Sequence, residues 1–267
     1  MSDQPALLVE KKDHVLTLTM NRPTKMNAMN KEMYQELYDA IHDYRYNDDL
    51  LCCVIKGNSE GAKRPVFTAG GDLKWFQAER AEHGELWQPS FPSYKEMEKC
   101  DKPIIAAVDG LCMASGFNLA TLYCDFVIAT ERSTFGIPAI KRALRLNYPI
   151  PYTQFMSLNN AMYMVMTGRM MTAEDGYRMG FVAQVCHNDC LDEAVKEVTD
   201  IIVDCAPRHL AAHKQLLKAL AVMPGSGQEL TNIIFEPLNS PEMLQVAKEG
   251  RESFLEKRDA NFHKDEK

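Results

Sequence analysis

The sequence predicts an α/β fold with a mostly parallel sheet, followed by a helical C-terminal part. In the first part of the chain, apolar runs with strand character alternate with segments of helical periodicity. This alternation implies right-handed crossovers between parallel strands. From residue 159 onward the periodicity is almost wholly helical. We therefore expect a core over residues 1–195 and a C-terminal helical region over residues 196–267.

The elements of the core follow from periodicity and from turn residues. Asn30 is a suitable N-cap for a helix that begins near Lys31, because its side-chain oxygen can accept a free N–H group of the first turn. Residues 84–93 hold two prolines and two aromatic residues, which predicts a loop that covers a pocket. Strands are expected at residues 6–10, 14–20, 50–56, 103–108 and 126–130, and further helices at residues 72–81 and 93–99.

The C-terminal part predicts a series of amphipathic helices. Thr172 is expected to cap a helix at residues 173–179, and Gly180 is expected to end it. The methionines between residues 162 and 179 have helical spacing, which is typical of core packing. Further helices are expected at residues 161–166, 191–205, 209–222 and 241–257.

The composition excludes several classes of partner. A net charge of −7 argues against nucleic acid, because Lys and Arg are not in excess. No apolar run approaches the ~18 residues that a membrane span needs, and the N-terminal residues lack the regions of a signal peptide. The eight cysteines lie mostly in apolar runs without a Cys-x-x-Cys pair, which is typical of buried thiols in a reducing compartment. We expect a cytoplasmic protein with no nucleic-acid or membrane partner.

Two stretches place small residues between an extended run and a helix. They are FTAGGDLK at residues 67–74 and GLCMASGFNLATLYCD at residues 110–125. Small residues at the mouth of a helix let a ligand approach free backbone N–H groups, and the helix dipole favours negative charge there. Two such turns can direct one N–H group each at the same carbonyl oxygen. The pattern therefore predicts an oxyanion site, with close strand–helix packing as the simpler alternative.

These stretches resemble the crotonase (enoyl-CoA hydratase/isomerase) superfamily. They are preceded, as in that family, by Asn21-Arg22-Pro23 and by KMNAM at residues 25–29. The resemblance covers nearly the whole chain in the family's order and implies a spiral of ββα units with a C-terminal helical trimerisation region. It also implies an acyl-CoA substrate and a homotrimer or a dimer of trimers. The remaining matching segments are CDFVIATERSTFGIP at residues 124–138, MTGRMMTAEDGYRMGFVAQV at residues 166–185 and FLEKRDANF at residues 254–262.

The resemblance also implies roles for individual residues. It assigns the two oxyanion donors to the backbone N–H groups of Gly71 and Ser115, where each such donor contributes about 3–4 kcal/mol in the transition state. Lys25 and Lys74 would contact phosphates as flexible point charges. No metal and no cofactor beyond the CoA moiety is implied. The coenzyme site would comprise Lys25, Asn27, Ala28, Ala69, Gly70, Asp72, Leu73 and Lys74, and the substrate pocket Gly116, Pro138 and Ala139.

The sequence departs from the family at the two acid/base positions. Family hydratases carry one glutamate in the segment matching GFNLA and another in the segment matching FGIPA. This chain has Asn118 and Ala139 at these positions. An amide can hydrogen-bond water or a carbonyl but cannot shuttle a proton, and alanine can do neither. Hydration of an enoyl-CoA by the usual pair of glutamates is therefore not expected, and a hydratase or isomerase would need an acid/base outside these positions.

A later segment offers a replacement for the missing pair. Residues 142–152 (RALRLNYPIPY) pass the same pocket in the family and here hold Asn147, Tyr148 and Tyr152. Some family decarboxylases place a tyrosine in this segment and need no glutamate base, because loss of CO₂ forms the enolate directly. We expect Tyr148 to act as a proton donor beside Asn118, and the alternative is that this segment makes core or subunit contacts.

Other charged residues and other reactions remain open at this point. Arg142 or Arg145 would hold a substrate carboxylate, and His83 is a further acid/base candidate. Isomerase, decarboxylase or hydrolase chemistry is as consistent with the sequence as hydration. The alternative from another class is a scaffold or sensor that binds acyl-CoA without turnover. Loss of both glutamates favours that alternative, whereas the intact FTAGGD turn argues against it.

Overall fold

The structure is a computed structural model that describes residues 4–84, 87, 90–142, 152–222, 233–234 and 236–262. Within these ranges, no helix is both long and apolar enough to cross a membrane. The strands are β1 (Leu7–Lys12), β2 (Val15–Met20), β3 (Cys52–Gly57), β4 (Val66–Thr68), β5 (Ile104–Val108), β6 (Leu111–Met113), β7 (Phe126–Thr130), β8 (Thr134–Gly136), β9 (Met171–Thr172) and β10 (Gln184–Cys186). The α-helices are α1 (Lys31–Tyr46), α2 (Leu73–His83), α3 (Pro92–Glu98), α4 (Ser115–Asn118), α5 (Leu158–Thr167), α6 (Ala173–Met179), α7 (Leu191–Val203), α8 (Pro207–Val222) and α9 (Pro241–Glu256).

The strands form two sheets that the chain visits alternately. One sheet has the order β1-β2-β3-β5-β7-β10 and the other the order β4-β6-β8-β9. The pairs β1–β2 and β8–β9 are antiparallel, whereas the remaining pairs are parallel. The successive strand pairs β3/β4, β5/β6 and β7/β8 each give one strand to each sheet. The chain therefore winds as a spiral of repeated units, and this confirms the expected α/β class.

The central strands of the six-stranded sheet, β3, β5 and β7, are buried on both faces. On β5, the side chains of Ile104, Ala106 and Val108 belong to the main core, while Ile105 and Ala107 pack into a second cluster against α7. Successive side chains of a strand point to opposite faces, so a strand covered on both sides needs apolar residues at every position. This requirement explains the continuous apolar runs in the sequence.

The predicted strands of the core are confirmed to within two residues, but the short strands were missed. The strands β4, β6 and β8 have three residues each. Such a length is too short to show a period of two, so parallel pairing rather than local pattern defines these strands. The prediction that the chain is almost wholly helical beyond residue 159 is wrong at β9 and β10, which extend the two sheets.

The predicted helix caps are confirmed. Asn30 accepts a hydrogen bond from the Met33 N–H group at 3.2 Å and so begins α1. Thr172 and Asp175 form a reciprocal capping box at the start of α6, with bonds of 3.0 and 3.1 Å. Gly180 ends that helix with a φ of +95°, a conformation that a residue with a side chain rarely adopts.

The methionine-rich helix α5 is only partly buried. Met164 is fully buried, as core packing requires. The expectation of core packing is wrong for Met162 and Met166, which are 51% and 72% exposed. A helix with apolar residues on its exposed face retains surface that a further contact could cover. The expected boundary at residue 195 falls inside α7, which packs on the six-stranded sheet, and the division into two regions stays a prediction.

Candidate active site

The two small-residue turns lie side by side because their strands are neighbours. The strands β4 and β6 pair in parallel, with Val66 opposite Leu111 and Thr68 opposite Cys112. Their carboxyl ends therefore meet at one edge of the four-stranded sheet, where the turn after β4 leads into α2 and the turn after β6 leads into α4. The carboxyl edge of parallel strands is where ligand sites of α/β proteins are commonly found.

The contact between the two turns is tight enough to require glycine. A Cβ atom added at Gly70, whose φ is +91°, would lie 2.8 Å from Met113 O and 3.1 Å from Ser115 N. A Cβ atom added at Gly71 would lie 2.4 Å from the Phe76 ring and 3.5 Å from Ser115 Oγ. Gly116 is equally close to β4, because its Cβ would lie 2.2 Å from a methyl carbon of Thr68. The structure thus brings Gly70, Gly71, Ser115 and Gly116 together.

Two backbone N–H groups at this contact have no acceptor. Within the ranges that the structure describes, neither Gly71 N nor Ser115 N donates a hydrogen bond. Their neighbours are paired, since Gly70 N donates to Thr68 Oγ1 at 3.0 Å and Asp72 N donates to Met29 O at 2.9 Å. Gly71 and Ser115 are both partly buried, so a water molecule or a ligand oxygen can accept from these two donors.

The second turn has a strained backbone and is contacted by Tyr94. Ala114, directly before Ser115, has φ +54° and ψ −121°, a region that costs a non-glycine residue about 1–3 kcal/mol. Tyr94 donates its hydroxyl to Ser115 O at 3.2 Å, and its ring stacks on Tyr123 with centroids 4.1 Å apart. The sequence did not single out Tyr94, because an aromatic residue on a short helix carries no local signal of a distant backbone contact.

Asn118 is bonded to a tyrosine from the later segment. The Tyr152 hydroxyl donates to Asn118 Oδ1 at 2.8 Å, and both side chains are buried, with exposures of 4%. The Tyr152 ring also packs edge-on against Phe117. Asn118 Nδ2 donates to no group among the described residues. The site therefore presents this amide as a donor, and Tyr152, which the sequence placed near the pocket without a role, fixes its orientation.

The loop at residues 21–29 joins the first turn to the sheet. The Asn27 amide donates to the carbonyl oxygens of Asn58, Val66 and Phe67 at 2.9–3.2 Å and is fully buried. Its backbone is also paired, since Asn27 N donates to Arg22 O at 2.9 Å and Asn27 O accepts from Thr68 Oγ1 at 2.6 Å, so Asn27 is committed to holding this loop in place. Ala69 N donates to Met26 O at 2.9 Å and places Ala69 beside the same loop.

Asp72 acts as a cap and as an ion-pair partner. Its carboxylate accepts from Lys74 N at 3.1 Å, which begins α2, and lies 3.0 Å from the Arg22 guanidinium. Arg22 also donates to Ala28 O, so it links the predicted coenzyme loop to the first turn. Asx capping at the helix start is the simpler role that the residue type suggests.

The remaining residues of the predicted coenzyme site are at the surface. Lys25, Leu73 and Lys74 are exposed, and Ala28 is partly buried. Pro138 and Ala139, predicted for the substrate pocket, are partly buried, and Ala139 packs against the main core.

The other acid/base and carboxylate-binding candidates lie away from the two turns or outside the described residues. His83 lies at the far end of α2, half exposed and 3.5 Å from Glu79. Arg145, Asn147 and Tyr148 lie outside the described residues, as does the side chain of Arg142.

Buried thiols of both sheets have raised pKa values. Burial raises the pKa of Cys112, on β6, well above its usual value, and burial raises the pKa of Cys52, on β3, to about 12. A thiol must ionise to react or to bind a metal, so these cysteines act as small core residues. Among the residues that the structure describes, no group of three His, Cys, Asp or Glu side chains is placed to hold a metal ion.

The comparisons with known proteins agree with this geometry. The chain matches the enoyl-CoA hydratase/isomerase family model over residues 10–265. It is similar to carnitinyl-CoA dehydratase of Salmonella heidelberg (strain SL476), with 31% identity over 255 residues that cover 92% of this chain and 93% of that protein. A solved probable enoyl-CoA hydratase/isomerase from Mycobacterium abscessus has 29% identity and a TM-score of 0.79, with 97% of this chain and 98% of that chain covered. For enoyl-CoA hydratase from Mycobacterium smegmatis the identity is 25%, the TM-score 0.82, and the coverage 97% and 100%.

These matches identify the class of protein. The chain belongs to the enoyl-CoA hydratase/isomerase family, and it is an acyl-CoA enzyme with the crotonase fold. The resemblance inferred from the sequence motifs is confirmed, and so is the enzyme class at the level of lyase or isomerase. The spiral of strand pairs in this chain is the architecture that its solved relatives share.

Proposed function

We propose that this enzyme forms or captures a thioester enolate whose oxygen is held by the N–H groups of Gly71 and Ser115, and that no glutamate serves as its base. The observation that supports the proposal most directly is a group of hydrogen-bond donors with no carboxylate at position 118 or 139. Among the described residues, the N–H groups of Gly71 and Ser115 lie on touching turns and have no acceptor. The Asn118 amide is three residues beyond Ser115 on α4. Ala139 occupies the second family acid/base position. Hydrogen-bond donors stabilise developing negative charge but cannot remove a proton.

Decarboxylation of a 2-carboxyacyl-CoA is the reaction that such a site supports best. The bond between Cα and the carboxylate carbon breaks, its electron pair forms the enolate, and CO₂ leaves. A phenol then returns one proton to Cα, and Tyr148 is the residue predicted for this step. Asn118, oriented by Tyr152, would hold the carboxylate or carbonyl end of the acyl group before the bond breaks, and Arg142 or Arg145 would pair with the carboxylate.

Addition or loss of water is the second candidate, because carnitinyl-CoA dehydratase is a relative with 31% identity. That chemistry would require an acid/base group outside positions 118 and 139. General acid/base help contributes about 10²–10⁴-fold per group. We therefore expect hydration of crotonyl-CoA to fall far below the ordinary turnover range of about 1–10³ s⁻¹.

One experiment separates the two candidates from binding without turnover. In one assay the purified protein is incubated with malonyl-CoA or 2-alkylmalonyl-CoA, and in a second assay with crotonyl-CoA in ¹⁸O water. The products of both assays are identified by mass spectrometry. Release of CO₂ supports the proposal, and incorporation of ¹⁸O at an ordinary rate would overturn it in favour of hydration. The Asn118→Glu/Ala139→Glu variant is the comparison, since it restores both carboxylates and should shift activity toward water addition.

The proposal also covers the coenzyme site, the assembly and the cellular location. The coenzyme would lie along residues 25–28 and 69–74, with its phosphates near Lys25 and Lys74. The assembly would be a homotrimer or a dimer of trimers. The location would be the cytoplasm, with support from eight cysteines that are all free thiols, as expected in a reducing compartment.

A further inference from the structure

A cavity of about 310 Å³ lies between α1, α2 and the residues that precede α3. Four aromatic side chains line it, namely Tyr34, Tyr38, Trp75 and Trp87, together with the Glu79 carboxylate and the Lys31 side chain. Its volume is at the lower end of the ~300–1,000 Å³ range of ligand pockets. The space therefore suits a compact head group rather than a nucleotide.

The aromatic rings of this cavity are inclined to one another. The Trp75 and Trp87 rings meet at 78° with centroids 6.1 Å apart, and the Tyr34 ring lies 5.8 Å from Trp75 at 46°. Rings arranged in this way form walls on several sides of a space instead of a single stack. The negative face of an aromatic ring attracts a cation, most strongly for tryptophan and more strongly where water is excluded.

The Glu79 carboxylate adds a negative charge that is only loosely compensated. Its side chain is 19% exposed and accepts the Trp75 indole N–H at 2.9 Å. The cationic groups that face it are Lys31, at 3.9 Å and 77% exposed, and His83, at 3.5 Å and 48% exposed. Both contacts are long and solvated, so they neutralise little of the charge.

We propose that this cavity binds a small organic cation with alkylated nitrogen, such as a quaternary ammonium group. Ring faces attract such a cation without offering hydrogen-bond acceptors, and a quaternary nitrogen has no N–H groups that would require them. A primary ammonium is a strongly hydrated point charge and would give up more of its water on entering this cavity than a quaternary nitrogen would.

The cavity is separated from the proposed enolate site by one aromatic ring. Phe76 lies against Gly71, and its ring centroid is 4.9 Å from that of Trp75 and 6.4 Å from that of Trp87. The cation could therefore be the far end of the acyl group, an inference that rests on the proposed function, or a separate small molecule. The chemistry of recognition is the same in both cases.

The test uses the two tryptophans of the chain, which both line the cavity. Choline is titrated against intrinsic tryptophan fluorescence at constant ionic strength, with 3,3-dimethylbutan-1-ol as the uncharged probe of the same shape. A saturable response to choline, at least tenfold weaker for the alcohol, is expected. Equal responses to both probes, or no saturable response, would overturn the proposal.

A matched pair of variants assigns the charge to one residue. Glu79→Gln keeps an acceptor for Trp75 but removes the charge, and it should weaken choline binding at least tenfold. Glu82→Gln makes the same change on an exposed position of α2 outside the cavity lining and should leave binding unchanged. Unchanged binding in Glu79→Gln, with the fold verified by circular dichroism, would contradict a cation site.

Two thioesters then distinguish the sources of the cation. Butyryl-CoA is compared with the same thioester that carries a trimethylammonium group at C4. If the cation is part of the substrate, only the charged thioester loses affinity in Glu79→Gln. If the cation is a separate ligand, both thioesters bind alike while choline still saturates. Failure of both thioesters to bind would count against the proposed function alone, because the choline titration measures the cavity independently.

Discussion

Asn118 is the residue on which the proposed chemistry depends most directly. Its carbonyl oxygen accepts from Tyr152, so the amide group is oriented with its N–H groups turned away from that tyrosine. Because an amide does not titrate, this group keeps the same role at every pH at which the fold persists. A pH dependence of turnover would therefore report another group, and Tyr148 and His83 are the residues to examine.

The tyrosines at 148 and 152 should respond differently to loss of their hydroxyls. Tyr152→Phe leaves the buried Asn118 oxygen unpaired, which should cost about 1–3 kcal/mol in the free energy of unfolding and lower turnover as the amide loses its orientation. Tyr148→Phe should lower turnover at least tenfold, or about 1.4 kcal/mol of barrier, with little change in stability. Urea denaturation and kcat on the true substrate measure both effects.

The control for these variants is Tyr177→Phe, which removes a hydroxyl from a half-exposed ring of α6. Neither stability nor turnover should change there. Full activity in Tyr148→Phe would assign the proton transfer elsewhere, and full stability in Tyr152→Phe would mean that water replaces the lost donor.

We expect Lys25 and Lys74 to contribute to the binding of CoA thioesters through their positive charge alone. Both are exposed, so each charge reversal to Glu should weaken binding of CoA thioesters and flatten the dependence of affinity on salt. Isothermal titration at two ionic strengths measures both quantities. Lys12→Glu, on the exposed strand β1, is the matched control. Affinity that stays unchanged in both site variants would move the phosphates away from these lysines.

At the scale of elements, the capping box of α6 has a pH dependence that can be measured. Hydrogen bonding from the Thr172 backbone is the main cause that lowers the pKa of Asp175 below its usual value, with Arg178 adding a smaller effect. A lowered carboxyl pKa in the folded state stabilises the fold above the unfolded pKa, and that stability is lost as the pH falls through the folded pKa.

The variant Asp175→Asn should therefore be less stable than the unaltered protein by about 1 kcal/mol at pH 7. The difference should shrink as the pH falls below the ordinary aspartate range, where the carboxylate of the unaltered protein also becomes neutral. Urea denaturation over a pH series measures it. Asp189→Asn, an exposed loop position, is the control, and a difference that stays constant with pH would show that charge is not involved.

The sequence predicted the elements that depend on local interactions and missed those that depend on contacts between residues far apart in the chain. The helix α1 and the strand β7 were predicted because caps and periodicity are local. The strands β4 and β6 were not, because three residues carry no period and their pairing joins residues more than forty positions apart. The turns that follow these strands were still predicted, since their small residues are a local requirement. The hydrogen bond between Tyr152 and Asn118 could not be predicted from the sequence, because it depends on how two distant segments pack.

At the scale of the whole molecule, the exposed apolar face of α5 is where a further subunit is expected. Leu158, Met162 and Met166 are each more than half exposed in the single chain. We expect a homotrimer or a dimer of trimers, and Met162→Lys/Met166→Lys should lower the molecular mass found by light scattering. Val9→Lys, on the half-exposed strand β1, should not. A single-chain mass for the unaltered protein would contradict the assembly.

The unpaired donors of Gly71 and Ser115 belong to the main chain, and this has a consequence for how the enzyme can vary. Substituting a side chain cannot delete a peptide N–H group unless it introduces proline or moves the turn. If these donors hold the thioester oxygen as proposed, changes at positions 118, 139 and 148 would alter the chemical outcome and leave that hold unchanged. A designer who wishes to redirect the reaction can treat these three positions as a small combinatorial library on a fixed scaffold.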